Sequence, residues 1–468
     1  MFLNPRDSFE IGQVSNHELH GLLKALEAGH GTDSATMTGG RSLIPQDIET
    51  TLVMALRQKE QDFKLMNILP RPKVNSTVHE YTRMNDVGVE KNVFVAEGGS
   101  TEENTGDYER VTKPIKYMQS FRKVTLQMRV ATTLEDAEAN EKMLGTLEIL
   151  RGAEAANFHG NSSVVPVEYD GVIKQIKDGR YKNILDLRGQ SINSVSGEDA
   201  FNKLAASIYE AGGYATHAFM PVIIAEEMQN LVRDRLRFNV NDRLGSLVVE
   251  RYPTPFSDSI VIAGKEGGPD KMFRVKGRIV PQGGSERPNA PTIALQAQAK
   301  TGGTGFDSST AGTYYYQVFA VSEKGISNGA SASVAVAAGQ EVKITITPAA
   351  SNPGTGFIVC RSKKGAADAS DCREMFRVPR EASGNTIALD QNDDLPGTGE
   401  IVMLSIDSVQ PSIQWDQFLP LMRFDLYPTN SPVIPFLVIL FGALDVKVPW
   451  YHGLIKNVGY RGLDWFAS

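Results

Sequence analysis

The chain has 468 residues, 41% of them hydrophobic and 22% charged, and a formal net charge of -7. That length calls for several domains, each able to bury a core, and the composition is that of folded globular protein. The net acidity argues against a protein that reads nucleic acid through a basic face. Two cysteines, Cys360 and Cys372, cannot build a disulfide framework and are expected as reduced thiols.

No segment reads as a signal peptide, because Met1–Glu10 carries Pro5, Arg6 and Asp7 where an apolar run should stand. The longest apolar run, 436–444, is broken by Gly442. It falls well short of the roughly 20 residues a membrane helix needs and reads as a buried strand. The expectation is a soluble, unexported product.

The first 50 residues read as an arm. A helix over 16–27 carries Leu19, Leu22, Leu23 and Leu26 on one stripe. A small, polar, glycine-rich stretch follows, and a second helix over 46–61 comes after Pro45. Residues 68–130 read as β-structure, with alternation over 74–81 and 91–95. Between these strands and the next lies 96–109, which holds Glu97, Glu102, Glu103, Asp107 and Glu109 and almost nothing apolar. Such a segment cannot bury itself and should project as a loop. The return strands, 113–130, are basic: Lys113, Lys116, Arg122, Lys123 and Arg129. An acidic tip beside basic strands suggests pairing with a neighbouring surface.

The clearest helix is expected over 132–159. Thr132 and Glu135 form a capping box, and Gly160 stops the run. At 1.5 Å per residue it spans roughly 40 Å, enough to cross a whole subunit. Residues 165–280 alternate helix and strand. Ser196–Asp199 opens a helix carrying Phe201, Leu204, Ala205, Ile208 and Tyr209, and Gly212–Gly213 ends it. Strands are expected at 217–220, 247–250 and 260–263, and a helix over 222–237 after Pro221.

From 288 to 399 the composition turns to Gly, Ser, Thr and Ala, with short strands at regular spacing. That is the pattern of a β-sandwich. Its strands are expected over 313–321, 342–347 and 356–361. Strand-like runs return at 401–406 and 436–448.

Chemistry is hard to find. The seven histidines, His17, His20, His30, His79, His159, His217 and His452, show no zinc-binding spacing. There is no phosphate-binding loop and no Gly-x-Ser-x-Gly elbow; Gly302–Gly305 reads as a turn. Asp390, Asp393 and Asp394 form an acidic group that would suit calcium at a sandwich end. Tyr314, Tyr315 and Tyr316 alternate across a strand, so about half should face a core.

The order of elements resembles the Hong Kong 97-like fold of tailed-phage major capsid proteins: arm, projecting hairpin, long helix, α+β unit, returning strands. The pieces that carry the resemblance are the Glu97–Glu109 tip, the helix ending at His159, and Ala218-Phe219-Met220-Pro221 leading a strand into a helix. It implies an α+β fold with an N-terminal arm (1–67), an E-loop hairpin region (68–131) and a P-domain spine helix (132–164). An A-domain (165–287) and returning P-domain strands (400–468) complete it. Residues 288–399 resemble an inserted immunoglobulin or fibronectin type III module. Tyr314–Val321 is similar to its late strand and Phe357–Ser362 to its central strand, an order that suggests a permuted module or a departure from the standard topology.

The resemblance further implies a non-enzymatic shell subunit of the virion, assembled in the host cytoplasm as hexamers and pentamers around double-stranded DNA. It calls for no cofactor, metal or membrane. The partners it implies are other copies of the chain, a separate scaffolding protein, a portal and, in some members, decoration proteins. Candidate contacts between subunits are Glu97, Glu102, Glu103, Asp107 and Glu109 on the loop, with Arg122, Lys123 and Arg129 as basic partners. A cargo compartment of the encapsulin type is the alternative of the same fold. A carbohydrate-binding or carbohydrate-active protein with a fibronectin-like module fits less well, for want of a signal peptide and a catalytic acid pair.

Overall fold

The computed structural model describes residues 63–463, except 87, 89–93, 96, 98, 100–102, 131–135, 234–248, 265, 407–410 and 428–431. The two arm helices, the Thr132–Glu135 capping box, Glu102 and most of the 91–95 strand lie outside the described residues.

The chain begins with a short helix, Lys64–Ile68, then β1 (Val78–Asp86), β2 (Asp107–Pro114) and β3 (Lys116–Thr125). β1 and β2 form an antiparallel hairpin in register from Val78 with Pro114 to Asp86 with Asp107. Pro114 and Ile115 then carry the backbone straight into β3. The second half of the expected return strand, Leu126–Val130, is a helical turn instead. The spine helix runs Ala137–His159 and Gly160 follows it. Its buried residues Gly145, Ile149, Ala153 and Asn157 recur every four, with Glu154 and Phe158 beside the last two, which gives one narrow stripe.

Next come a helix over Val172–Asp178, β4 (Ile184–Asp186), a helix over Val195–Glu210 and β5 (His217–Pro221). The 195–210 helix is capped by Ser194, whose hydroxyl accepts from the Gly197 amide at 3.1 Å, two residues before the expected start. A helix over Val222–Arg233, β6 (Arg251–Thr254), β7 (Ser257–Val261) and β8 (Gly268–Asp270) follow. The expected strand over 247–250 therefore lies later, at 251–254. The sandwich segment supplies β9 (Thr292–Ala299), β10 (Gly312–Ser322), β11 (Gly325–Ile326), β12 (Ala330–Val336), β13 (Gln340–Thr347), β14 (Gly356–Arg361), β15 (Arg373–Pro379) and β16 (Thr386–Asp390). The chain returns through β17 (Gly399–Leu404), β18 (Ile413–Asp425), β19 (Val433–Val446) and β20 (Gly453–Val458).

The C-terminal strands do not all go to one place. β18 and β19 join β3 in the order β18-β19-β3, whereas β17 and β20 enter the sheet β4-β20-β17-β5-β7-β6 of the α/β unit. Residues 400–468 thus complete both bodies. The reason lies in burial: β17 is buried at all six positions and needs cover on both faces, which only a central position in a helix-flanked sheet provides.

The three-stranded sheet packs one face on the spine helix. Gly145 allows this approach: a Cβ there would sit 3.0 Å from Val438 Cγ2 and 3.4 Å from Arg122 Cγ. Leu65, Met66, Phe158, Trp415, Phe436 and Val438 share this core. A second core joins β5, β17 and β20 to the 195–210 and 222–233 helices, through Phe201, Leu204, Met220, Ile224 and Ile401.

The sandwich has two sheets, β16-β13-β9 and β12-β10-β14-β15, the latter also carrying β11. Tyr314, Tyr316, Val318, Ile344, Phe357 and Val359 fill its interior. β10 lies between β12 and β14 and is the earlier member of the central pair, so no permutation of strand order is needed. The alternate residues Phe319, Val321, Ile358 and Cys360 pack with Val164 and Val165, just past the spine helix. β14 is therefore buried on both faces, and the sandwich rests on the body rather than hanging from it.

Two buried acids set how parts join. Glu154 on the spine helix is fully buried. Its Oε1 and Oε2 accept from the amides of Leu65 and Met66 at 2.7 and 3.0 Å, fastening the 64–68 helix by its first turn. Burial, then Asp270 beside it, pushes the Glu154 carboxyl well above the usual range. We expect Glu154→Ala to cost about 2–4 kcal/mol, because two buried amides lose their acceptor. Glu154→Gln, which keeps one of the two acceptor oxygens, should cost less than Glu154→Ala by chemical denaturation.

Glu400 is the second. Burial opposes its ionisation, but Lys177 at 3.2 Å and Lys276 at 3.7 Å outweigh this and hold its carboxyl at about 2. A depressed folded pKa stabilises above the unfolded value of about 4.3, and that stability is lost as pH falls towards 2. The stability gap between wild type and Glu400→Gln should be widest above about pH 4.5 and close towards pH 2.

Candidate assembly surfaces

Two surfaces of the body have no cover among the described residues. The first is the outer face of the β18-β19-β3 sheet. Register sets Tyr117 opposite Phe441, and Phe441 opposite Leu419. It likewise sets Phe121 opposite Leu437, and Leu437 opposite Phe424. Cross-strand neighbours share a face, so these residues form apolar rows across the sheet. Phe121 is 58% exposed, Tyr117 55% and Phe424 52%. Tyr117 and Phe441 meet edge to face, with ring centroids 4.9 Å apart.

The opposite face carries the charges. Arg122 Nη2 lies 2.6 Å from Glu148 and its Nη1 3.3 Å from Glu141, both on the spine helix. Arg423 reaches Glu138 at 2.6 Å and lies over the Phe436 ring. Arg129 lies 3.6 Å from Glu138. Ser120 and Arg122 hold the Glu148 carboxyl below its usual range despite partial burial.

The second surface is the hairpin. His79, Tyr81, Arg83 and Asn85 on β1 are half-buried, while Val78, Glu80, Thr82 and Met84 alternate with them facing solvent. Arg83 anchors it. Its Nη2 lies 2.6 Å from Glu109, its Nη1 donates to the Lys447 carbonyl at 2.9 Å, and its guanidinium sits over the Trp450 ring at 5.0 Å. Hydrogen bonds from Arg83 and Asn85 hold the Glu109 carboxyl below its usual range. Asp107 meets Arg180 at 2.5 Å. Outward-facing Met84 and Tyr108, with Phe94 and Val95 in the loop, are exposed.

The candidate contact residues therefore divide. Asp107, Glu109, Arg122 and Arg129 have ion-pair partners within the chain. Glu97 and Glu103 are exposed in the loop, and Lys123 is exposed on the outer face of β3. Glu102 lies outside the described residues. Within the chain, Arg122 and Arg129 pair with acids of the spine helix rather than with the loop. Sequence reading saw β3 as basic and missed its outer row. The available signal was the i, i+4 spacing of Tyr117 and Phe121, with Lys116 and Arg122 among the alternate positions.

The acids at the sandwich end do not form a calcium cage. Asp390 is buried and accepts from Arg361 Nη1 at 2.6 Å and the Tyr316 hydroxyl at 2.7 Å. Asp393 accepts from the Thr304 hydroxyl at 2.8 Å, and Asp394 lies 3.5 Å from Lys276. Arg361 lies over the rings of Phe306 and Tyr314 and donates to Asn392, so this group pins one sheet to the other. Tyr314 and Tyr316 are interior, and Tyr315 packs against the cluster around Val164.

No helix among the described residues is long and apolar enough to cross a membrane. No protein-family model and no curated protein matches the chain. Solved structures do. The chain is similar to the capsid of a native GTA particle, with TM-score 0.47 and 11% identity, covering 92% of this chain and 100% of that one. It is similar to the holo-SrpI encapsulin complex from Synechococcus elongatus, with TM-score 0.42 and 10% identity, covering 90% and 94%. It is also similar to a structure from Mycobacterium phage Adephagia, with TM-score 0.44 and 8% identity, covering 89% and 95%.

Arg83→Ala removes bonds from the hairpin to both β2 and the segment after β19. Charge-assisted hydrogen bonds contribute about 1.5–3 kcal/mol each. Amide exchange in β1 and β2 should rise at least tenfold, while exchange in β13 and β14 stays unchanged.

Proposed function

We propose that this chain is the major shell subunit of a tailed phage, with the Hong Kong 97-like fold, and that it is not an enzyme. The observation that carries the reading is the uncovered apolar face of the β18-β19-β3 sheet. A monomer gains nothing by leaving Tyr117, Phe121 and Phe424 in water on its longest sheet; contiguous apolar patches of this kind mark interaction sites. The occupant that fits is another copy of the chain, whose hairpin offers Met84, Phe94, Val95 and Tyr108. A hairpin laid on a neighbour's sheet is a heterologous contact, and repetition of such contacts closes rings and shells.

The order of elements supports the fold reading: hairpin, spine helix, α/β unit, then strands that return to both bodies. In the sandwich, the chain order β10, β12, β13, β14, β15 and the sheet order β12-β10-β14-β15 follow the C, C′, E, F, G arrangement of an immunoglobulin-like module, with β9 beside β13 as strand B. β16, on the far side of β13, departs from it. Hexamers and pentamers, a separate scaffolding protein, a portal, decoration proteins and packaged double-stranded DNA belong to this reading. So does a place in the virion. The net charge of -7 suits a wall that must not stick to DNA. Glu97, Glu103 and Lys123 remain the charged groups proposed to steer subunit contacts.

The test is sedimentation followed by negative-stain electron microscopy of the expressed chain, with and without the phage's scaffolding protein. Rings of five and six, or closed shells, are expected. Phe121→Ser with Phe424→Ser should abolish them while leaving the melting temperature within a few degrees. A monomer under every condition removes the shell reading. Closed shells recovered from the host with nuclease-resistant DNA support the phage role; an enclosed enzyme instead marks the encapsulin alternative.

A further inference from the structure

Where the hairpin meets the long sheet, side chains from three strands converge: His79 on β1, Asp416 on β18 and Asp445 on β19. One donor atom of each lies within 4.8 Å of the other two. His79 Nε2 stands 3.9 Å from Asp416 Oδ2. Both aspartates are 0% exposed.

Each carboxylate is held by one oxygen and left bare at the other. Asp416 Oδ1 accepts from Gln414 Nε2 at 2.6 Å, and Asp445 Oδ1 accepts from the Tyr81 hydroxyl at 3.2 Å. Asp416 Oδ2 and Asp445 Oδ2 are buried without a hydrogen-bond donor. Two bare carboxylate oxygens in one buried place are costly unless something cationic sits between them. The nearby lysines are only partial compensation. Lys113 donates to Gln175 at 2.9 Å, and the Lys447 ammonium lies over the Tyr81 ring at 5.9 Å. Burial and the mutual repulsion of the two carboxylates push the Asp445 carboxyl up to about 6.

We propose that His79, Asp416 and Asp445 bind a divalent transition-metal ion, zinc by their ligand chemistry, which clamps the hairpin to the long sheet. One imidazole nitrogen and two carboxylate oxygens match the mixed donor set of zinc, whereas calcium and magnesium favour oxygen alone. Ligands about 2 Å from one ion stand roughly 3–4 Å apart, so small side-chain rotations close the observed spread. Gln414 and Tyr81 act as outer partners that fix which carboxylate oxygen faces the ion. A groove lined by Lys73, Ser76, His79, Glu80, Gln414 and Lys447 reaches the site at His79 and Gln414, and a water would complete four-coordination. The inference does not depend on the shell reading.

The test uses the full chain, stripped with a chelator and then titrated with zinc by calorimetry and with cobalt(II) by visible absorption. One ion per chain is expected, with the visible bands of a four-coordinate cobalt site and slower amide exchange in β1. Tyr81→Phe should weaken binding by roughly 10–100-fold, as loss of an outer partner does, and His79→Ala or Asp445→Asn by more. Asp416→Asn and Asp445→Asn remove a buried, poorly matched charge. Their metal-free melting temperatures should hold or rise, so lost binding cannot be blamed on misfolding. Absence of saturable binding by the wild-type chain would overturn the proposal. So would affinity unchanged in His79→Ala and Asp445→Asn, which would mark surface association.

Discussion

The pairing of β3 with β19 is the constraint on which the rest depends. Ten residues, from Thr125 opposite Val433 to Lys116 opposite Gly442, zip together across more than three hundred positions of chain. This closure fixes where the hairpin emerges, because β2 runs into β3 through Pro114 and Ile115. It also gives the spine helix a floor, since Val438 and Arg122 meet it at Gly145. Everything between β3 and β19, the sandwich and all of the α/β sheet except β20 included, must fold within the loop that this pairing closes. Gly442 shows how tightly the sheet is built: a Cβ there would sit 2.8 Å from the Trp415 ring.

That closure also makes the molecule two-sided. One face of the sheet is neutralised by Glu138, Glu141 and Glu148 of the spine helix. The other carries aromatic rows with nothing over them among the described residues. A charged face satisfied within the chain and an apolar face left open are what the proposed shell subunit would need: a shape of its own and a surface for neighbours. Surface ion pairs contribute little each, so the helix contacts mostly set geometry. Burial of the aromatic rows would supply the drive for association.

The sandwich is bound into the same scheme. Its larger sheet is covered on both faces, by its own core and by Val164 and Val165. The Arg361–Asp390–Tyr316 group is buried between its sheets. Removing one partner there would strand a charge, whereas the intact group favours a single packing of one sheet on the other.

The sequence by itself determined the local elements. Strands β10, β13 and β14, the Ala137–His159 helix with its end at Gly160, and the 195–210 helix were legible because alternation, the 3.6 period and glycine stops act over a few neighbours. The boundary errors, Ser194 rather than Ser196 as cap and 251–254 rather than 247–250 as strand, are of the size that competing local signals produce. Only the tertiary structure decided which strands share a sheet. It divided the strands after residue 399 between two sheets and set Arg122 against Glu141 and Glu148 of the chain's own helix. It also brought His79 to Asp416 and Asp445; Tyr81 and Asp445, partners in that cluster, stand 364 positions apart. Partner choice at that distance leaves no periodic trace, because it depends on which buried faces fit once the chain has closed on itself.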